Sequence, residues 1–169
     1  PGEQVHRIQA GDSLTLGPFR VTVLSADHID LPIYIAGTLP ASLQPPLRLI
    51  EYVMDECFSF LVEWNGVRLL VWHSSQVAQA EPADILCVMP HEPPAFYRQL
   101  FPLVQPKTVI PFHWDDFFQP LSRPLRPLAP TWAARLLGRT SLADLKRSTT
   151  EILPKSQFFQ PEIFHVHTF

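Results

Sequence analysis

The chain has no run of about 18 apolar residues, so no stretch reads as a membrane-spanning helix. It also lacks a basic stripe. Its 13 Lys and Arg face 16 Asp and Glu, for a net charge of −3, and Arg68, Arg123, Arg126, Arg135 and Arg139 are scattered. Nucleic acid and anionic membrane surfaces demand clustered positive charge, which excludes both as partners. Cysteine is nearly missing: Cys57 and Cys87 each sit in an apolar stretch, with no CxxC or Cys/His knuckle. Two reduced, buried thiols are expected, and with them a cytoplasmic protein. The chain opens with Pro1 rather than Met, so its natural start, and any signal peptide there, is expected upstream. There is no internal repeat. What remains is the profile of a single domain over 1–169, with 46% apolar residues.

Proline is the abundant residue, at 19. Pro120, Pro124, Pro127 and Pro130 interrupt 119–130 too often for a helix or a central strand, leaving a polyproline-like loop. It is either an ordered surface connection or one wall of a cleft. Pro40, Pro45 and Pro46 mark a second irregular stretch, 31–50, which carries Ile33, Tyr34, Ile35, Leu39, Leu43, Leu47 and Leu49. An apolar loop of this kind is either buried under a partner segment or a flap on the substrate side.

Strands are expected at 4–9, 13–16 and 19–25. Asn65-Gly66 predicts a type I′ turn between strands 57–64 and 67–73, because both residues tolerate positive φ. Asp84 to Met89 reads as a buried strand, Pro94 to Val104 as a helix with Pro94 in its first turn, and 107–112 as a strand parallel to the first. Thr131 to Leu137 reads as a short helix, and Ser141 with Asp144 opens another through a capping box. The sum is an α/β chain with one mixed sheet and helices on one face.

The chemistry concentrates in Lys107 to Phe118. Thr108 to Ile110 is a β-branched, apolar run, Pro111 is expected to end its ladder, and His113 should emerge at the carboxyl edge, followed by Asp115 and Asp116. A packed histidine beside a solvated Asp pair is the plain alternative. Val21 to His28 repeats the design, a strand running into small residues and then a histidine. Two strand-end imidazoles converging on one site point to a metal, although two donors alone hold one weakly. Asp115 and Asp116 follow closely enough to fix the His113 imidazole. His91 ends the strand before and is a further candidate. His165 and His167, two apart near the end of the chain, form a pair suited to adventitious metal.

In order, the Gly11-Asp12 hairpin, the strand to His28, the pair 58–64 and 67–72, the strand 83–89, the helix before Pro106 and His113-Trp114-Asp115-Asp116-Phe117-Phe118 resemble the C-terminal half of the metallo-β-lactamase fold family. The branch of ascorbate-phosphate lactonase-like hydrolases is the most similar. The resemblance covers most of 4–155 and implies half of an αββα sandwich. It also implies that His28 and His113 are ligands, each for a different ion of a zinc site or one of another divalent transition metal such as Mn or Fe. The reaction it implies is attack by metal-bound hydroxide on an ester, lactone or phosphoester.

Two departures stand out. The family's HxHxDH motif is absent from residues 1–27, and where the family carries a bridging aspartate the chain reads His73-Ser74-Ser75-Gln76. His73 could replace that aspartate as a donor or proton shuttle, with Ser74 and Ser75 beside it. A small-molecule hydrolase is therefore expected only for the intact protein, with the 169-residue species inert and its metal incompletely bound. The alternative is a non-catalytic or regulatory member. Ile33, Ile35, Leu39 and one face of strands 57–73 should be covered by an N-terminal half or a homo-oligomer partner.

Overall fold

The computed structural model describes residues 5–27, 35–36, 46, 53–54, 56–116, 120, 122–127, 141–162 and 165–167. β1 (Ser13–Leu16) turns through Gly17, at φ 60°, into the antiparallel β2 (Phe19–Ala26). The backbones of β3 (Ile35–Ala36) and β4 (Val53–Met54) form a separate parallel pair. β5 (Cys57–Trp64) lies antiparallel to β2 and returns as β6 (Val67–Trp72). Asn65 and Gly66 make that turn at φ 47° and 79°, the positive pair a type I′ turn requires.

From β6 onward the sheet is parallel. β7 (Ile85–Val88), β8 (Thr108–Pro111) and β9 (Gln157–Phe158) follow in turn, giving the seven-stranded order β1-β2-β5-β6-β7-β8-β9. Parallel neighbours need a crossover, and α1 (Pro94–Val104) supplies it between β7 and β8. Pro94 occupies the first turn, where no N–H is needed, and Gln105 closes the helix in the left-handed region at φ 52°. α2 (Leu142–Ile152) starts with the expected capping box of Ser141 and Asp144 and leads into β9. Among the described residues no helix is long and apolar enough to cross a membrane. The helix expected at 131–137 lies outside the described residues.

Both helices cover one face. Phe96, Tyr97, Leu100, Phe101 and Val104 form one buried stripe of α1, joined by Leu145 of α2. They pack on the cross-strand row Leu61, Leu70, Leu86 and Val109, with Trp72 and Val88 one step nearer the carboxyl edge. Burying side chains of this size contributes about 1.5–3 kcal/mol each. The opposite face carries the row Val23, Phe60, Val71, Cys87 and Ile110. Val23 is fully buried there, and the other four are half-buried. Of the residues expected to need cover, Ile33 and Leu39 lie outside the described residues.

One expectation is corrected. Residues 5–9 form no strand: Val5 is exposed, and Gln9 is instead bound to Asp12, its N–H donating to the carboxylate at 2.9 Å and its carbonyl accepting at 3.1 Å. β8 does end at Pro111, as expected: its last pairing is with Val88, and the Phe112 N–H closes the ladder by donating to the Val88 carbonyl at 3.2 Å. The missing N–H of Pro111 falls on the β9 side, where β9 pairs only with Thr108 and Val109.

Asp84 ties the amino edge of the parallel strands. Its carboxylate accepts from the Arg68 N–H at 2.9 Å and meets Lys107 Nζ at 2.7 Å, while its carbonyl accepts from the Lys107 and Thr108 N–H groups. The Lys107 hydrogen bond first, and the Arg68 N–H second, hold its carboxyl below the usual carboxylate range. This contribution is present above the unfolded value of about 3.9 and disappears as pH falls through the lower folded value. The exposed Lys107 limits it to below about 1 kcal/mol. Urea titrations across pH should therefore show wild type more stable than Asp84→Asn at pH 7, with the gap narrowing below pH of about 4. A gap that widens on acidification contradicts the assignment.

Candidate functional site

Because β6, β7 and β8 are parallel and in register through Trp72, Val88 and Pro111, their carboxyl ends lie side by side. Three histidines follow those ends. His73 comes directly after β6, its N–H donating to Ser59 Oγ at 2.9 Å and its ring centroid 6.3 Å from that of Phe112. His91 lies on the turn after β7, and its Nε2 is 2.8 Å from the His113 carbonyl oxygen. The His91 and His113 rings are 6.2 Å apart at 76°. His113 is exposed and sits at φ 54°, a left-handed conformation that costs a residue with a Cβ about 1–2 kcal/mol.

The turn carrying His91 is anchored from below by a residue the sequence did not single out. Tyr97 is fully buried, donates from Oη to the Met89 carbonyl at 2.8 Å and accepts from the Glu92 N–H at 3.3 Å. Burial pushes its phenol far above the ordinary value; the Glu92 N–H opposes this, and the Glu92 charge adds to it. The available signal was a tyrosine on the buried stripe of α1, whose hydroxyl needs a partner.

Ser74 and Ser75 work as a clasp. Ser74 Oγ accepts from the N–H groups of Asp27 and Gln76, both at 3.1 Å, and the Ser75 N–H donates to the Asp27 carbonyl at 3.1 Å. The end of β2 is thereby fastened beside the end of β6. His28, the next residue, lies outside the described residues. Asp115 and Asp116 hold the Pro-rich segment. Asp116 takes the Arg126 guanidinium through Nε at 3.0 Å and Nη2 at 2.8 Å, its N–H donates to the Arg126 carbonyl, and Asp115 bridges to Pro127. Arg126 was read from sequence only as one scattered charge.

Neither thiol is a ready nucleophile. Burial raises Cys57, helped by the Asp27 charge, and burial alone pushes Cys87 up to about 11. Both cysteines are free, as expected, but half-buried rather than buried. His165 and His167 lie beyond β9, away from the β6–β8 strand ends in sequence. The His167 ring stacks edge-on against Phe159 at 4.8 Å, and His165 Nε2 is 3.7 Å from a Glu162 carboxylate oxygen. An open depression of about 380 Å³ lies between the hairpin turns at 17–18 and 65–66, lined by Phe19, Arg20, Glu63, Trp64 and Arg68. Glu63 and Glu81 already engage its arginines.

Among the described residues, no three His, Cys, Asp or Glu side chains are placed to hold a metal ion. His91 Nε2 faces a carbonyl, and the Asp116 carboxylate faces Arg126, so the described donors do not fit a complete metal centre.

No protein-family model matches this chain, and no curated protein matches it. Solved structures do. The metallo-β-lactamase fold protein YhfI from Bacillus subtilis aligns with a TM-score of 0.51 at 12% identity, over 92% of this chain and 52% of its own length. A candidate Zn-dependent hydrolase of the metallo-β-lactamase superfamily from Thermotoga maritima aligns with a TM-score of 0.41 at 15% identity, over 72% of this chain and 54% of its own. The mixed seven-stranded sheet with helices on one face is thus an α/β arrangement of the metallo-β-lactamase fold. It spans about half the length of these two proteins.

The strap on the Pro-rich segment is testable by amide exchange. Arg126→Ala should speed exchange of the Asp116 N–H by up to about fivefold, equivalent to about 1 kcal/mol, while leaving the β7 and β8 amides protected. Unchanged exchange at Asp116 would show that the guanidinium does not hold the segment.

Proposed function

We propose that this chain is part of a metal-dependent hydrolase with the metallo-β-lactamase fold, acting on a small-molecule ester, lactone or phosphoester, as in the ascorbate-phosphate lactonase-like branch. One observation carries the reading: an exposed His113 imidazole at the carboxyl edge of β8, on a left-handed turn, in a sheet of this fold. His113 and His28 are the proposed ligands for zinc, with Mn or Fe as alternatives. The family's HxHxDH motif is absent from residues 1–27, so in this reading the remaining donors come from a segment preceding residue 1 or from a second copy of the chain. The same partner would cover the apolar face of β5 and β6. No chemical step through a metal follows from the described residues alone.

The non-catalytic or regulatory reading has one observation in its favour. Ser74, within the stretch His73-Ser74-Ser75-Gln76 that stands where the family carries a bridging aspartate, spends its oxygen on backbone N–H groups rather than on an open site.

Plasma mass spectrometry separates the two readings when run on the 169-residue chain, on the protein extended to its natural start, and on the extended His113→Ala variant. The extended protein should carry zinc, the variant should lose at least half of it, and the 169-residue chain should turn over no phosphodiester, lactone or β-lactam. Equal metal content in wild type and His113→Ala removes His113 from the site. An extended protein that holds no metal favours the regulatory reading.

A further inference from the structure

We infer that His91 is a positioning residue whose Nε2–H, by donating to the His113 carbonyl, holds the left-handed turn that carries the exposed His113 imidazole. The contact is 2.8 Å, and a carbonyl can only accept, so the proton of the neutral ring resides on Nε2. The conformation it holds is one a histidine leaves readily: φ 54° crowds Cβ against the carbonyl oxygen, and only an outside restraint makes it the ground state. His91 is itself pinned. Its turn hangs from Tyr97 through the Met89 carbonyl and the Glu92 N–H, at 2.8 and 3.3 Å. A rigid chain thus runs from the buried face of α1 through Tyr97, the 89–92 turn and His91 to the backbone of His113. The strands bring these groups together only because β7 and β8 are parallel neighbours whose carboxyl ends coincide.

The value of this restraint for ligation rests on the reading of His113 as a metal donor, but the restraint itself does not. NMR on the metal-free chain tests it directly through the His113 Cα and Hα shifts and the HN–Hα coupling, which report φ. Wild type and His91→Gln, whose amide N–H2 reaches the position of Nε2, should both show left-handed values. His91→Leu should shift them to extended or right-handed values, with the spectrum of β5 to β8 unchanged. His91→Asn, polar but too short to reach, should behave as His91→Leu does and serves if that variant does not fold. Left-handed values retained in both overturn the proposal. On the extended protein, zinc affinity should fall about 10–100-fold in His91→Leu and recover in His91→Gln. A shift change without zinc binding in any form leaves the positioning role standing and defeats the hydrolase reading, whereas zinc binding with unchanged shifts does the reverse.

Discussion

Everything at the candidate site depends on the parallel register of β6, β7 and β8. Antiparallel neighbours would send successive strand ends to opposite edges; here Trp72, Val88 and Pro111 pair in one row, so the residues that follow them emerge together. That register needs α1 as a crossover, and α1 in turn is held by apolar contact with Leu70, Leu86 and Val109. The hydrophobic core and the histidine edge are therefore two ends of one construction. Asp84 locks the amino end of the same three strands, and Tyr97 transmits the position of α1 to the carboxyl end.

The polar groups at the carboxyl edge are largely engaged in shaping it. Ser74 and Ser75 clasp the end of β2, Ser59 receives the His73 N–H, and Asp116 holds Arg126. Each of these ties satisfies a backbone or charged group that would otherwise be costly to leave without a partner near the sheet. Together they present the exposed His113 side chain at the end of β8. An edge built this way orients one donor well and does not by itself assemble a coordination sphere.

Local signals in the sequence were legible because the residues that carry them act on their own neighbours. Asn65-Gly66 fixed a turn, Ser141 and Asp144 fixed a helix start, and the apolar runs flanking Pro94 to Val104 gave the strand, helix, strand unit. The stretch at 4–9 misled because a strand exists only if a ladder partner does, and Gln9 is taken by Asp12 instead. Pro111 was legible as the last residue of β8, because a residue without an N–H is tolerated where the neighbouring strand no longer pairs. At the site, the places of His73, His91 and His113 at strand ends followed from pattern. The duties of Ser74 and Tyr97 did not, because the partner of Ser74 is 47 residues away and that of Tyr97 is a backbone carbonyl. The role of His28 rests on resemblance alone.

The central claim is that the parallel strands bring the histidine-bearing ends of β6, β7 and β8 to one edge. Nuclear Overhauser contacts among the ring protons test it most directly in the metal-free protein. The account predicts contacts between His91 and His113 and between His73 and Phe112, whose ring centroids lie 6.2 and 6.3 Å apart. A folded protein that shows Leu70 to Leu86 contacts across the core but neither ring pair would contradict it.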